Sequence, residues 1–251
     1  MPENKQKMIV VPIDGSENAL TSLDYINRIF GSKHHFRLSL VYILPKLPPI
    51  LVEESRKSKK TINLEQDIEK KNSQMAERIL ADAKDRLMHF GFTQKTVEAA
   101  FFNINIGVAR DICSWAEKNK KADAIFISSR GRSRLKAFFT GEIANKVLEY
   151  SRVCPVWMLK GSVNKKNVLV AVDNSKNAMR AVDHAGFMLS GMGAQVTIFH
   201  SKRDLNRFIP DSLVDEYPEF QKFWHFAVSS SYFRYPRTST FPPMGIAPLG
   251  H

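Results

Sequence analysis

Only two cysteines occur in 251 residues, which removes a disulfide-stapled scaffold from consideration. Cys113 and Cys154 lie far apart and share no metal-type spacing, so a cytosolic chain with reduced thiols is the economical reading. The seven histidines, at 34, 35, 89, 184, 200, 225 and 251, fall into no HExxH or other ligand pattern. No GxxxxGK[ST] loop is present, which excludes a P-loop nucleotidase. Long apolar runs are missing too. The most apolar window, "VYILPKLPPILV" at 41–52, is short and broken by Lys46 and prolines, so it predicts no membrane span. The opening "MPENKQK" is polar and leads directly into a strand-like run, which argues against a secretory signal.

Charge of one sign is not scarce. A formal net charge of +12 raises the question of nucleic acid. The excess is spread along the chain, with local concentrations at "RKSKK" (56–60) and in "RGRSRLK" (130–136). That distribution reads as a solvated basic face rather than a nucleic-acid site.

An internal repeat organises the rest. "KMIVVPIDGSENALTSLDYINRIF" at 7–30 aligns without gaps on "KNVLVAVDNSKNAMRAVDHAGFML" at 166–189, with seven identities in 24. Each copy opens with a run of buried-strand character that ends at an aspartate, Asp14 or Asp173. A serine follows two residues later and suits a helix N-cap, because its hydroxyl accepts from an orphan amide of the first turn.

The first copy continues as an alternation of strands and helices. Strands are predicted at 36–44, 96–104, 122–129 and 154–159. Helices are predicted at about 61–90, at "GVARDICSWAEKN" and at "GEIANKVLEYS", with Ile68, Met75, Ile79 and Leu87 on one face of the long helix. Residues 45–60 read as a proline-rich, then basic, connection. This order predicts an open α/β fold, a five-stranded parallel sheet with helices on both faces. The domains are accordingly 1–160, a complete unit; 166–218, a partial second unit; and 219–251, an irregular tail dense in Phe, Tyr, Pro and Ser.

In such a sheet, ligands lie beyond the carboxyl ends of the strands where the strand order reverses. Asp14 would there face the "SSRG" that closes the fourth strand. Gly131 permits close approach of backbone, and Gly141 stands where the next helix begins. Asp14 either contacts a ribose or caps its own loop.

These residues resemble the universal stress protein family. Its nucleotide-binding members carry Gly, two residues, Gly, nine residues, then Gly-Ser or Gly-Thr. Gly131 and Gly141 stand at that spacing, and "IDGSENA", "GVARDI" and "CPVWML" are similar as well. The resemblance implies a unit that pairs with another through strand five, within one chain or between copies, and a site for ATP. Its contacts would fall on Pro12, Ile13, Asp14 and Ile43 around the adenosine. They would fall on Ile127, Ser128, Arg130 and Gly131 in the loop, and on Gly141, Glu142 and Ile143 at the phosphates. Two positions depart from the pattern. Ser128 replaces the first glycine, and Glu142 replaces the hydroxyl that would donate to a phosphate. A carboxylate about 4 Å from a phosphate oxygen repels it by roughly 1–4 kcal/mol.

"DGSENA" also lacks the SGGxDS loop of the related ATP pyrophosphatases, and no general base or metal pair stands out. The resemblance thus implies a stress-adaptation module that responds to adenine nucleotide without catalysis of its own. A nucleotide-free, dimerising interaction module is the alternative.

Overall fold

The computed structural model describes residues 6–31, 36–47, 49–55, 59–128, 142–159, 167–173 and 175–200. Arg130, Gly131, Gly141 and the tail 219–251 lie outside them. The chain divides into two compact units, Met1–Asn164 and Lys165–His251.

The first unit is a five-stranded parallel sheet in the order β3-β2-β1-β4-β5. Its strands are β1 (Lys7–Pro12), β2 (Phe36–Leu44), β3 (Val97–Asn103), β4 (Ala124–Ser128) and β5 (Val156–Leu159). Successive parallel strands need crossovers, and helices supply them: α1 (Glu17–Phe30), α2 (Pro49–Ser55), α3 (Lys59–His89), α4 (Val108–Ser114) and α5 (Glu142–Tyr150). Because both faces are covered, the central strand reads as an unbroken apolar run. Ile9, Val10 and Val11 are each fully buried. β1 pairs with β2 on one side and β4 on the other, and this is where the strand order reverses.

Two apolar layers flank the sheet. Beneath α1, Phe30 meets Phe36 with ring centroids 4.6 Å apart, and Phe126 stacks on Trp157 at 4.8 Å. On the opposite face Val10, Val41, Ile125 and Ile127 pack against Ile112 and Cys113 of α4 and Ala144 and Val147 of α5.

Three local expectations require correction. The proline-rich connection after β2 contains a short helix, α2, that the sequence reading did not anticipate. The buried stripe of α3 is Ala76, Leu80, Ala83 and Leu87, while Met75 is 58% exposed. The buried positions recur at i, i+4, i+7 and i+11 from Ala76, and Met75 lies off that stripe. The helix after β3 stops being α-helical at Ser114 and continues as a π-helical turn, Trp115–Lys120. It ends at Lys121 in the left-handed region, φ 47°.

The second unit contains β6 (Asn167–Val172), α6 (Lys176–Leu189) and β7 (Gln195–His200). β6 pairs in parallel with β7, in the same strand–helix–strand order that opens the first unit. Among the described residues these two strands form the whole of that sheet.

Candidate functional site

The turn after β1 is built by a chain of local hydrogen bonds. The Asp14 Oδ1 accepts from the Ser16 amide at 2.9 Å and from the Ser16 hydroxyl at 2.6 Å. Ser16 Oγ in turn accepts from the Ala19 amide at 3.2 Å, capping α1. Between them Gly15 adopts φ +77°, and a Cβ there would meet Ile79 Cδ1 at 2.8 Å. Glycine suits the backbone angle, and an added Cβ would press the end of the Ile79 side chain of α3. Asp14 thus braces its own loop through Oδ1.

The approach to α4 is fixed by a buried carboxylate. Asp111 accepts from the amides of Asn105 (2.8 Å), Ile106 (3.2 Å) and Gly107 (3.3 Å). These bonds satisfy a charge that is only 6% exposed and hold the loop that delivers Val108. On the far side β4 ends at Ser128. α5 starts with Glu142, whose carboxylate is bonded by Lys146 one turn later.

These pieces enclose a cavity of about 400 Å³ beyond the carboxyl ends of β1 and β4. Pro12, Ile13 and Asp14 line it from β1 and its turn, and Ile43 from β2. Ile127 and Ser128 line it from β4, and Glu142 and Ile143 from α5. Eight of the residues singled out in the sequence therefore meet at one cavity. Arg130, Gly131 and Gly141 lie outside the described residues. The sequence reading did not single out Ala19, Val41, Tyr42, Val108, Ile112 and Ala144, which also line it. Ala19 ends the noted "IDGSENA", and Val108 and Ile112 both stand inside "GVARDI". Val41, Tyr42 and Ala144 are positions of a strand or helix with no local signal of a site.

The universal stress protein family matches the chain over residues 6–160. The chain belongs to that family. Among solved structures, a universal stress protein from Archaeoglobus fulgidus DSM 4304 is similar over 88% of this chain and 74% of its own. The two share 20% identity with a TM-score of 0.56, a likeness of fold. A family member from Burkholderia pseudomallei is 22% identical, over 63% of this chain and 98% of its own, with a TM-score of 0.42. A member from Arabidopsis thaliana, solved with AMP bound, is 13% identical. It covers 62% of this chain and 92% of its own, with a TM-score of 0.41. No curated protein matches the chain.

Both cysteines of this universal stress unit are buried. Burial pushes the Cys113 thiol up to about 11 and the Cys154 thiol up to about 12, with Glu117 adding to both. Both thiols stay protonated at neutral pH and are poor nucleophiles. Cys154 Sγ donates to the Ala122 carbonyl at 3.3 Å. Glu117, on the π-helical turn, accepts from the amides of Arg152 (3.0 Å) and Val153 (3.2 Å) and ties that turn to the connection between α5 and β5. Among the described residues no cluster of His, Cys, Asp or Glu could hold a metal ion. No described helix is long and apolar enough to cross a membrane.

Proposed function

We propose that this universal stress protein acts in stress adaptation as an adenine-nucleotide-responsive regulatory module without catalysis of its own. The observation that carries this reading is the convergence of Pro12, Ile13, Asp14, Ile43, Ile127, Ser128, Glu142 and Ile143 on one cavity at the switch point of the sheet. An apolar floor suits a purine, and a rim of Asp14, Ser128 and Glu142 suits the hydroxyls of a ribose. ATP is the nucleotide that the family pattern suggests. In this reading the protein is cytosolic, makes no use of nucleic acid, and pairs through strand five, either with another copy or within its own chain. Mass spectrometry of small molecules released from the purified, denatured chain tests the proposal. It expects an adenine compound in amounts comparable to the protein. Release of none, together with no adenine ligand bound on addition, overturns it.

A second reading has its own support. Glu142 and Ser128 depart from the phosphate-binding pattern, and β5 is an edge strand of the sheet. A nucleotide-free module would then pair through β5, with another copy or with the second unit of its own chain. Sedimentation of the chain with and without an adenine ligand separates the two. A self-associated state that is indifferent to ligand favours the second.

A further inference from the structure

One face of α3 changes character along its length. Ala76, Leu80, Ala83 and Leu87 recur at the spacing of a single helix face and are buried where α3 packs on β2 and β3. Continued toward the N-terminus, the same face carries Glu65, Glu69, Asn72 and Ser73. Glu69 is exposed and the other three are half-buried. Together they form one wall of a second cavity, of about 370 Å³, beyond the carboxyl ends of β2 and β3. Leu44 and Ile104 give it apolar surface, and Lys46 enters from the connection after β2. It shares no lining residue with the cavity at the switch point. Packing asks for apolar residues on a stripe that continues a buried one. Two acids, an amide and a hydroxyl in those places are better matched to a polar occupant than to the sheet.

We propose that this second cavity is a site for a small diamino acid of the lysine type, its ammonium groups on Glu65 and Glu69 and its carboxylate on Lys46. Glu65 and Glu69 stand one helical turn apart, where like charges repel. Two ligand ammonium groups replace that repulsion with charge-assisted hydrogen bonds. Lys46 Nζ donates to the Asn105 carbonyl at 3.0 Å, which holds the ammonium in place and uses one of its three donors. A ligand carboxylate takes another. Two carboxylates and one ammonium on the wall are thus matched by two ammonium groups and one carboxylate on the ligand. The aliphatic stem of the ligand lies on Leu44 and Ile104. A cavity of this size with an apolar side suits an organic molecule rather than a bare ion.

The test is calorimetric titration of L-lysine into the full chain, beside two probes that each lack one charged group. Pentane-1,5-diamine lacks the carboxylate, and 6-aminohexanoate lacks the α-ammonium. Lysine should bind wild type about fivefold more tightly than either, the worth of one solvated ion pair at about 4 Å. Glu65→Gln and Glu69→Gln keep the side-chain shape and should each weaken lysine by about that factor. Lys46→Met should bring lysine down to the level of the diamine. Ser73→Phe, which fills the cavity, should abolish lysine binding while thermal unfolding stays cooperative. If that variant does not fold, the two glutamine variants decide the matter alone. No binding of lysine to the folded wild-type chain overturns the proposal. So does equal affinity for lysine and the diamine, or lysine binding that both glutamine variants leave undiminished.

Discussion

At equivalent positions of the repeat, Val10 of β1 is fully buried whereas Leu169 of β6 is 64% exposed. The strands that carry them descend from the same sequence pattern, and each begins a strand–helix–strand unit in parallel register. β1 has β4 as a second neighbour and helices on both faces, and β6 has β7 alone among the described residues. Local features survive this difference intact. Ser16 caps α1 through the Ala19 amide, and Ser175 caps α6 through the Ala178 amide at 3.1 Å. Asp14 and Asp173 each accept from the amide of that serine. The comparison separates what a short sequence specifies alone, the cap and turn, from what it acquires only inside a complete sheet, the burial.

The largest effect should come from deleting methyls at the repeat position itself. Val10→Ala should destabilise the first unit by about 2–3 kcal/mol, the transfer cost plus the cavity left behind. Leu169→Ala should change stability by less than about 0.5 kcal/mol, since most of that side chain is already in water. Amide hydrogen exchange resolved by unit makes the measurement, because two units need not unfold together. Similar costs at both positions would remove the contrast.

The turn gives the next largest effect. Gly15→Ala should cost about 1–2 kcal/mol, because alanine resists positive φ and its Cβ meets Ile79. Trimming that neighbour in Gly15→Ala/Ile79→Ala should return only the steric part, shown by a non-additive double-mutant cycle. The second copy carries Asn174 at this position, a residue that tolerates the left-handed region better than most. Gly15→Asn should accordingly be less harmful than Gly15→Ala as far as backbone angle is concerned. Urea titration of the three variants ranks them.

The caps should behave alike in the two units. Ser16→Ala and Ser175→Ala should each lower the stability of their helix by about 1 kcal/mol, since the bond lost is local in both. A cost confined to the first unit would mean that the cap depends on tertiary packing after all.

The smallest effect is conditional on pH and is read in the first unit, at Glu117. Burial alone would raise its pKa, but the amides of Val153, Arg152 and Cys154 and the Ser151 hydroxyl outweigh it and hold it below the ordinary value. A carboxylate depressed in the folded state contributes stability above its unfolded pKa, and loses it as pH falls through the folded pKa. Glu117→Gln should cost about 1 kcal/mol at neutral pH. The difference from wild type should be full above the ordinary carboxylate range and vanish as pH falls below that range, through the depressed folded pKa. Thermal unfolding of the pair between neutral and acid pH shows whether the two curves converge.

Much of this architecture was legible in the chain. Unbroken apolar runs such as "MIVVP" predicted parallel strands, because only a strand covered on both faces dispenses with polar alternation. The aspartate and serine of each copy predicted a capped turn. The site was half legible. Residues at strand ends and helix starts could be placed at the switch point by topology, but Val41 and Tyr42, inside β2, carry no local signal of a site. The π-helical turn was hidden because Trp115–Lys120 has ordinary helical composition. Its cause is tertiary: Trp115 Nε1 donates to Ser39 Oγ at 3.3 Å, and Glu117 reaches the Arg152 amide. The exposed face of β6 was equally hidden, since its sequence reads as a buried strand.

If a complete unit is what makes a site, the chain should carry one adenine site, in the first unit, and none in the second. Calorimetric titration of adenosine into the full chain, beside an Ile43→Trp variant that fills the cavity, tests this most directly. The account predicts one ligand per chain for wild type and none for the variant, with unchanged cooperative unfolding of both. Two ligands per chain, or undiminished binding by Ile43→Trp, would contradict it.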